Sequence, residues 1–247
     1  APANPILSHR HLPADRPFTV DWAGHADLVE GPDGQYYGVF LAIRPNEANR
    51  VNTGRETFIL PVDWSGTFPV FKGGLEPIQP KLAMPQGVKN ETGKNGYFPN
   101  GNFTFTETFT GSSLDYRWVG VRGAREGFIS TTAEGLTITP YETNNKAVLP
   151  TSTLFYRQQH LNFTATTTLK YVPRTEKDLA GITCYQSEKF NYVFGVTKKA
   201  EDSYIVLQRT EKGESSTIAS EKIEGNTPIS LRVTAEGDKY TFSYSVK

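Results

Sequence analysis

The sequence predicts an all-β protein in two parts. Three observations carry this. Apolar and polar residues alternate with period two in one run after another, and long helical periodicity is hard to find. Clusters of Gly, Pro, Asn and Asp punctuate the runs at short intervals. Aromatic residues make up 12% of the chain and threonine is plentiful, residue types that suit a pleated, half-buried surface.

The first part covers about residues 1–80 and reads as four or five strands. Gly24-His-Ala-Asp-Leu-Val29 enters the first clear strand, Gly31-Pro-Asp-Gly34 is a hairpin signal, and Gln35-Tyr-Tyr-Gly-Val-Phe-Leu41 returns. Arg44-Pro45 opens a polar loop, and Gly54-Arg-Glu-Thr-Phe-Ile-Leu-Pro-Val62 is the next strand, with a turn at Gly73-Gly74. Such a piece amounts to one sheet and a little more. Its apolar face and its edges need cover from something else. Residues 81–103, with Pro85, Pro99 and the run Gly87-Val-Lys-Asn-Glu-Thr-Gly-Lys-Asn-Gly96, break the pattern and read as a crossing linker. From about residue 104 the alternation resumes, in Asn102–Phe109, Leu136–Thr139, Phe163–Leu169, Tyr204–Gln208, Ser230–Thr234 and Tyr240–Tyr244. Nine to eleven short strands there predict a two-sheet antiparallel sandwich.

Composition narrows the function classes. The chain has 247 residues, with 26 Lys+Arg against 26 Asp+Glu. That balance argues against a nucleic-acid face or a polybasic membrane patch. No run approaches ~18 apolar residues, so no transmembrane helix is expected. The single cysteine, Cys184, lies in an apolar run without His or Asp beside it and reads as a small core residue. Asn90-Glu-Thr92, Asn102-Phe-Thr104 and Asn162-Phe-Thr164 fit the N-glycosylation acceptor and lean toward a secreted protein.

Several residues are candidates for chemistry. His9 and His11 sit two apart, too few ligands for a metal, and read better as hydrogen-bonded strand-end residues. His25 precedes a strand behind Gly24, and a glycine there permits close approach of a backbone or ligand. Arg55 follows Gly54 at the mouth of an apolar strand. It either projects into a polar cavity or forms a solvated ion pair with Glu56 or Asp63. Trp118 and the tyrosines either stack on sugar rings or belong to the core.

Taken together, His25-Ala-Asp-Leu-Val29, Arg44-Pro45, Gly54-Arg-Glu-Thr-Phe-Ile-Leu-Pro-Val-Asp-Trp64 and Phe68-Pro-Val70 resemble the last blade of the five-bladed β-propeller of glycoside hydrolase family 43. Asn4-Pro-Ile-Leu-Ser-His-Arg10 resembles the segment before that blade. Phe109-Thr-Gly-Ser-Ser-Leu-Asp-Tyr-Arg-Trp118, Arg157–Phe163 and Ala180–Gln186 resemble the concanavalin A-like sandwich appended to β-xylosidase-type members. The resemblance implies that residues 1–80 are the C-terminal part of a propeller and that residues 104–247 are the sandwich, cut short at its C-terminus. It implies an inverting enzyme releasing xylose or arabinose from xylan-derived oligosaccharides, with a general-base Asp, a pKa-tuning Asp and a general-acid Glu. Those three carboxylates belong to earlier blades, so no catalytic carboxylate is expected here. Asp27 and Glu56 are given strand and ion-pair duties. His25 and Arg55 are implied as active-site support, with Arg55 contacting substrate. No organic cofactor is expected; a calcium or sodium ion near His25, by the propeller axis, is implied by resemblance. The expected partners are the sugar substrate and the N-terminal propeller portion of the same enzyme, joined to this chain or as a separate one. A sandwich acting as a non-catalytic carbohydrate-binding or structural module stays open as the alternative.

Overall fold

In a computed structural model, the structure describes residues 4–89, 98, 101–224 and 228–246. Among these residues it is all-β, with fifteen strands and one 3-10 turn at Arg125–Gly127. The chain divides into two compact units, residues 1–105 with 158–160, and residues 106–157 with 161–247.

The first unit holds a four-stranded antiparallel meander in the order β1-β2-β3-β4: β1 (Asp21–Glu30), β2 (Tyr36–Ile43), β3 (Arg55–Asp63) and β4 (Val70–Phe71). The β1–β2 hairpin turns at Gly34, whose φ of 72° is a conformation glycine adopts at little cost. Period two decides which side chains are buried. Phe40, Ala42, Leu60 and Val62 point to one face and join Val20, Phe71 and Ile78 in a single core. Ile6, Leu7, Ala23 and Phe58 pack against them. Phe40 meets Phe58 at 5.9 Å and Phe71 at 6.1 Å between ring centroids. Burying Phe40 contributes about 1.5–3 kcal/mol. On the strand positions between these, Val39 and Leu41 are half-buried and Ile59 is exposed. This single sheet therefore covers one of its faces well and the other poorly.

The described residues of the segment expected to cross between the two parts, 81–89, 98 and 101–103, group with this unit, as do Gln158–His160. Gln159 Nε2 donates to the Phe98 carbonyl at 3.0 Å and His160 Nε2 to the Gly101 carbonyl at 2.9 Å. Phe103 stacks on Phe98 and meets His160 edge-on.

The second unit is a sandwich. One sheet is β10 (Leu179–Ser187), β11 (Phe190–Lys199), β12 (Asp202–Glu211) and β13 (Glu214–Lys222), in that order. The facing sheet runs β15 (Lys239–Val246), β14 (Ile229–Glu236) and β9 (Asn162–Leu169). Phe194, Val196 and Ile205 from the first sheet meet Ile229 and Leu231 from the second, with Ile223 between strands completing the core. Two-stranded ladders add β5 (Trp118–Val119) with β8 (Phe155–Tyr156), and β6 (Ile129–Thr132) with β7 (Gly135–Ile138). The expected strand over Asn102–Phe109 does not form. Residues 103–110 alternate between half-buried and exposed, but no neighbouring strand pairs with them. The segment before Val20 also has no strand, so His9 and His11 are not strand residues.

Candidate functional site

The edge strand β1 is irregular where His25 sits. Asp21 pairs with Ile43, Gly24 with Leu41 and Asp27 with Val39, so β1 carries one extra residue in each interval. Each bulge contains a non-glycine residue in the left-handed region, Trp22 at φ 56° and His25 at φ 55°. Bulky residues are rarely held there, because Cβ crowds the backbone. Bulges re-aim side chains and are over-represented at sheet edges and beside active sites. Here they leave His25 exposed on a strand edge that no other strand among the described residues pairs, and Trp22 77% exposed three residues away. Beside His25 is an open concavity of about 640 Å³, lined also by Asn4, Ile6, Gly24, Leu28 and Phe71.

The start of β1 is held from outside the sheet. Arg16 Nη2 donates to the Val20 carbonyl at 2.6 Å and to Asp21 Oδ1 at 2.5 Å, and Arg16 Nη1 to the Pro13 carbonyl at 2.7 Å. His9 is buried and its Nδ1 donates to the same Val20 carbonyl at 2.8 Å. His11 donates through Nε2 to the Leu75 carbonyl at 2.8 Å. Both histidines thus hold backbone.

Arg55 begins β3 in the row of Ile43 and Asp21, at the same end of the sheet as Gly24 and His25. It lies two strands across from β1, roughly 10 Å at the usual strand spacing. Neither ion pair expected for it forms. Glu56 instead accepts a forked pair of hydrogen bonds from Arg44, Nε at 2.9 Å and Nη2 at 2.6 Å, with the Thr53 hydroxyl adding a third at 2.9 Å. Successive residues of a strand face opposite sides, so the Arg44–Glu56 pair and Arg55 diverge. Among the described residues the side chains of Arg55 and His25 make no hydrogen bond or ion pair. An exposed guanidinium and an exposed imidazole are left at one end of the sheet, both able to donate to a polyol or a carboxylate.

Three of the five carboxylates on this sheet have structural duties. Asp21 is bound to Arg16 and Glu56 to Arg44. Asp63 accepts from the Ser65 amide at 2.9 Å. The Ser65 amide and hydroxyl, with the Lys72 charge, hold its carboxyl below the ordinary aspartate range. Asp27 is exposed on β1. No three His, Cys, Asp or Glu come together to hold a metal among the described residues, so a cation near His25 would have to draw its other ligands from elsewhere.

In the sandwich, Trp118 is half-buried between Phe109 at 5.0 Å and Tyr156 at 5.5 Å, a packing position rather than a platform open to sugar. Burial pushes the Cys184 thiol up to about 11, the behaviour of an inert core cysteine. Asn102 and Asn162 are both exposed, and Asn162 Oδ1 accepts from the Gly237 amide at 2.8 Å. Asn90 lies outside the described residues. No helix among the described residues is long and apolar enough to cross a membrane.

Residues 106–247, more than half of the chain, match the family described as the beta xylosidase C-terminal concanavalin A-like domain. The chain belongs to glycoside hydrolase family 43. It is similar over 98% of its length, at 28% identity, to the non-reducing end alpha-L-arabinofuranosidase BoGH43B of Bacteroides ovatus, and covers 44% of that protein. Over 89% of its length it is 31% identical to a xylosidase/arabinosidase of Butyrivibrio fibrisolvens, covering 41% of it. A crystal structure of a GH43_12 protein retrieved from capybara gut metagenome superposes with a TM-score of 0.88 at 50% identity, over 99% of this chain and 46% of that one. This family-43 chain thus spans less than half the length of the relatives it matches.

For this family-43 chain, the sequence reading singled out His25 and Arg55 but missed two residues that shape their surroundings. Trp22 breaks the alternation in Asp21-Trp-Ala-Gly-His25, which is the one sign of the double bulge in the sequence. Arg16 carries no signal at all, because its three acceptors are defined only by how the segment before β1 folds back.

Proposed function

We propose that this chain is the C-terminal part of an inverting, secreted glycoside hydrolase that releases xylose or arabinose from xylan-derived oligosaccharides. The β1–β4 sheet is the last blade of a five-bladed propeller, and neighbouring blades from the N-terminal portion cover its poorly buried face. That portion supplies the general base, the pKa-tuning Asp and the general acid. His25 and Arg55 support the reaction from this side, by donating hydrogen bonds that orient the sugar and a catalytic carboxylate. A calcium or sodium ion near His25 belongs to this reading, with its remaining ligands outside this chain.

The observation that carries the proposal is the doubly bulged β1. In a family-43 chain, a histidine held at positive φ on an unpaired strand edge is strain that persists where a site needs it. Three of the five carboxylates on the same sheet, Asp21, Glu56 and Asp63, are bound to Arg16, Arg44 and Ser65, which supports placing the acid–base pair elsewhere.

The test uses the full-length protein with aryl β-xyloside and aryl α-L-arabinofuranoside. His25→Ala and Arg55→Ala should each lower kcat/KM by roughly 100-fold or more. Proton NMR of the first product should show the inverted anomer. Full activity in both variants, or no cleavage of either substrate by the parent, overturns the reading.

A further inference from the structure

At the other end of the same sheet lies a second feature that the proposed reaction does not use. Tyr36 opens β2 opposite Val62, and Asp63 and Trp64 follow at the end of β3. Seven residues separate this row from the row of Ile43 and Arg55, roughly 23 Å at the usual rise per residue. The rings of Tyr36 and Trp64 meet at 5.1 Å with a tilt of 50°, and they remain 37% and 45% exposed. They line a concavity of about 240 Å³ together with Gln35, Asp63, Ser65 and Lys72.

The chemistry of this lining is specific. Two aromatic rings left open to water are poorly placed for stability, yet they offer apolar faces to the C–H face of a sugar. Around them stand an anionic acceptor, a cationic donor, an amide with both functions and a hydroxyl. Asp63, like an ordinary aspartate, is ionised at neutral pH and offers acceptor oxygens there; the Ser65 amide and hydroxyl and Lys72 lower its carboxyl further. An anionic ligand would meet Asp63 and a cationic one would meet Lys72. A neutral polyol with one apolar face satisfies the whole set, and a pyranose ring is that shape.

We infer that Tyr36, Trp64, Asp63, Gln35 and Lys72 form a second glycan-binding site, distinct from the His25–Arg55 end, that holds a pyranose unit of a neutral polysaccharide. The choice of xylan as that polysaccharide rests on the proposed function; the site itself does not. Its effect is to keep the protein on the polymer while oligosaccharide ends are processed elsewhere, an avidity gain rather than a catalytic one.

The experiment is affinity electrophoresis of the 247-residue chain in gels containing xylan, β-mannan or mixed-linkage glucan, with calorimetric titration of xylohexaose. Xylan should retard the chain. Trp64→Ala and Asp63→Asn should each weaken xylohexaose binding roughly tenfold, Trp64→Phe should keep most of it, and Tyr116→Ala, which removes a 94% exposed ring from the second unit, should leave it unchanged. Thermal unfolding of Trp64→Phe and Asp63→Asn guards against loss of fold. Retardation by mannan or glucan without xylan keeps the site and overturns the xylan assignment. No retardation by any of the three, undiminished binding by Trp64→Ala, or binding lost equally with Tyr116→Ala overturns the site.

Discussion

His25 sits in a backbone conformation that only glycine adopts freely, at φ 55°, and Trp22 three residues earlier does the same. Relieving such a conformation is worth about 1–2 kcal/mol, offset by the 0.5–1 kcal/mol that glycine's extra freedom costs in the unfolded chain. His25→Gly should therefore stabilise the first unit by up to about 1.5 kcal/mol, while His25→Ala, which keeps Cβ, should not. Denaturant titration of both variants checks this; a His25→Gly variant no more stable than His25→Ala would remove the argument that the bulge is strained. Together with the loss of activity expected on removing the imidazole, this is a trade of stability against function. At this scale the sequence was partly legible. His25 and Arg55 were candidates by their glycine neighbours, and only the family resemblance gave them a role. The partner of Glu56 did not: Arg44, twelve residues away, takes both its oxygens, because the β2–β3 connection folds the loop arginine back onto the start of β3.

Strands of the meander are held in place by close approaches that turn chemistry does not reveal. Gly38, in the middle of β2, lies under the ring of Phe71; a Cβ there would come within 2.0 Å of a ring carbon. Gly38→Ala must push Phe71 out of the core it shares with Phe40 and Val62, at a cost of about 1–3 kcal/mol. A lower denaturant midpoint at unchanged slope is the expected result, and an unchanged midpoint would mean that Phe71 moves freely. Period two located most of the strands, since a half-buried ladder writes its two faces into the sequence. The same signal failed over Asn102–Phe109. Alternation reports that a segment has a buried and an exposed side, and residues 103–110 do, but pairing needs a neighbouring strand edge in register. The bulges in β1 were hidden for the converse reason: they alter pairing while the composition of the strand stays ordinary.

For the molecule as a whole, two cores are complete to different degrees. The sandwich closes its apolar interior between two sheets, with Leu231 and Ile229 fully buried. The meander closes one face and leaves Val29 and Ile59 exposed on the other. On the proposed reading, the 247-residue chain by itself should hydrolyse neither aryl xyloside nor aryl arabinofuranoside, since that reading places the acid–base groups in the N-terminal portion. Turnover by the isolated chain at the rate of the full-length protein would defeat that reading. The sequence by itself determined the all-β class, the two-part order and the family, because strand period, turn residues and a run of spaced motifs are local properties of the chain. Only the tertiary structure decided which charges are spent on each other, where β1 departs from regular pairing, and that Tyr36 and Trp64 converge beside Asp63. Those facts depend on register across strands far apart in the chain, and a linear pattern does not carry register.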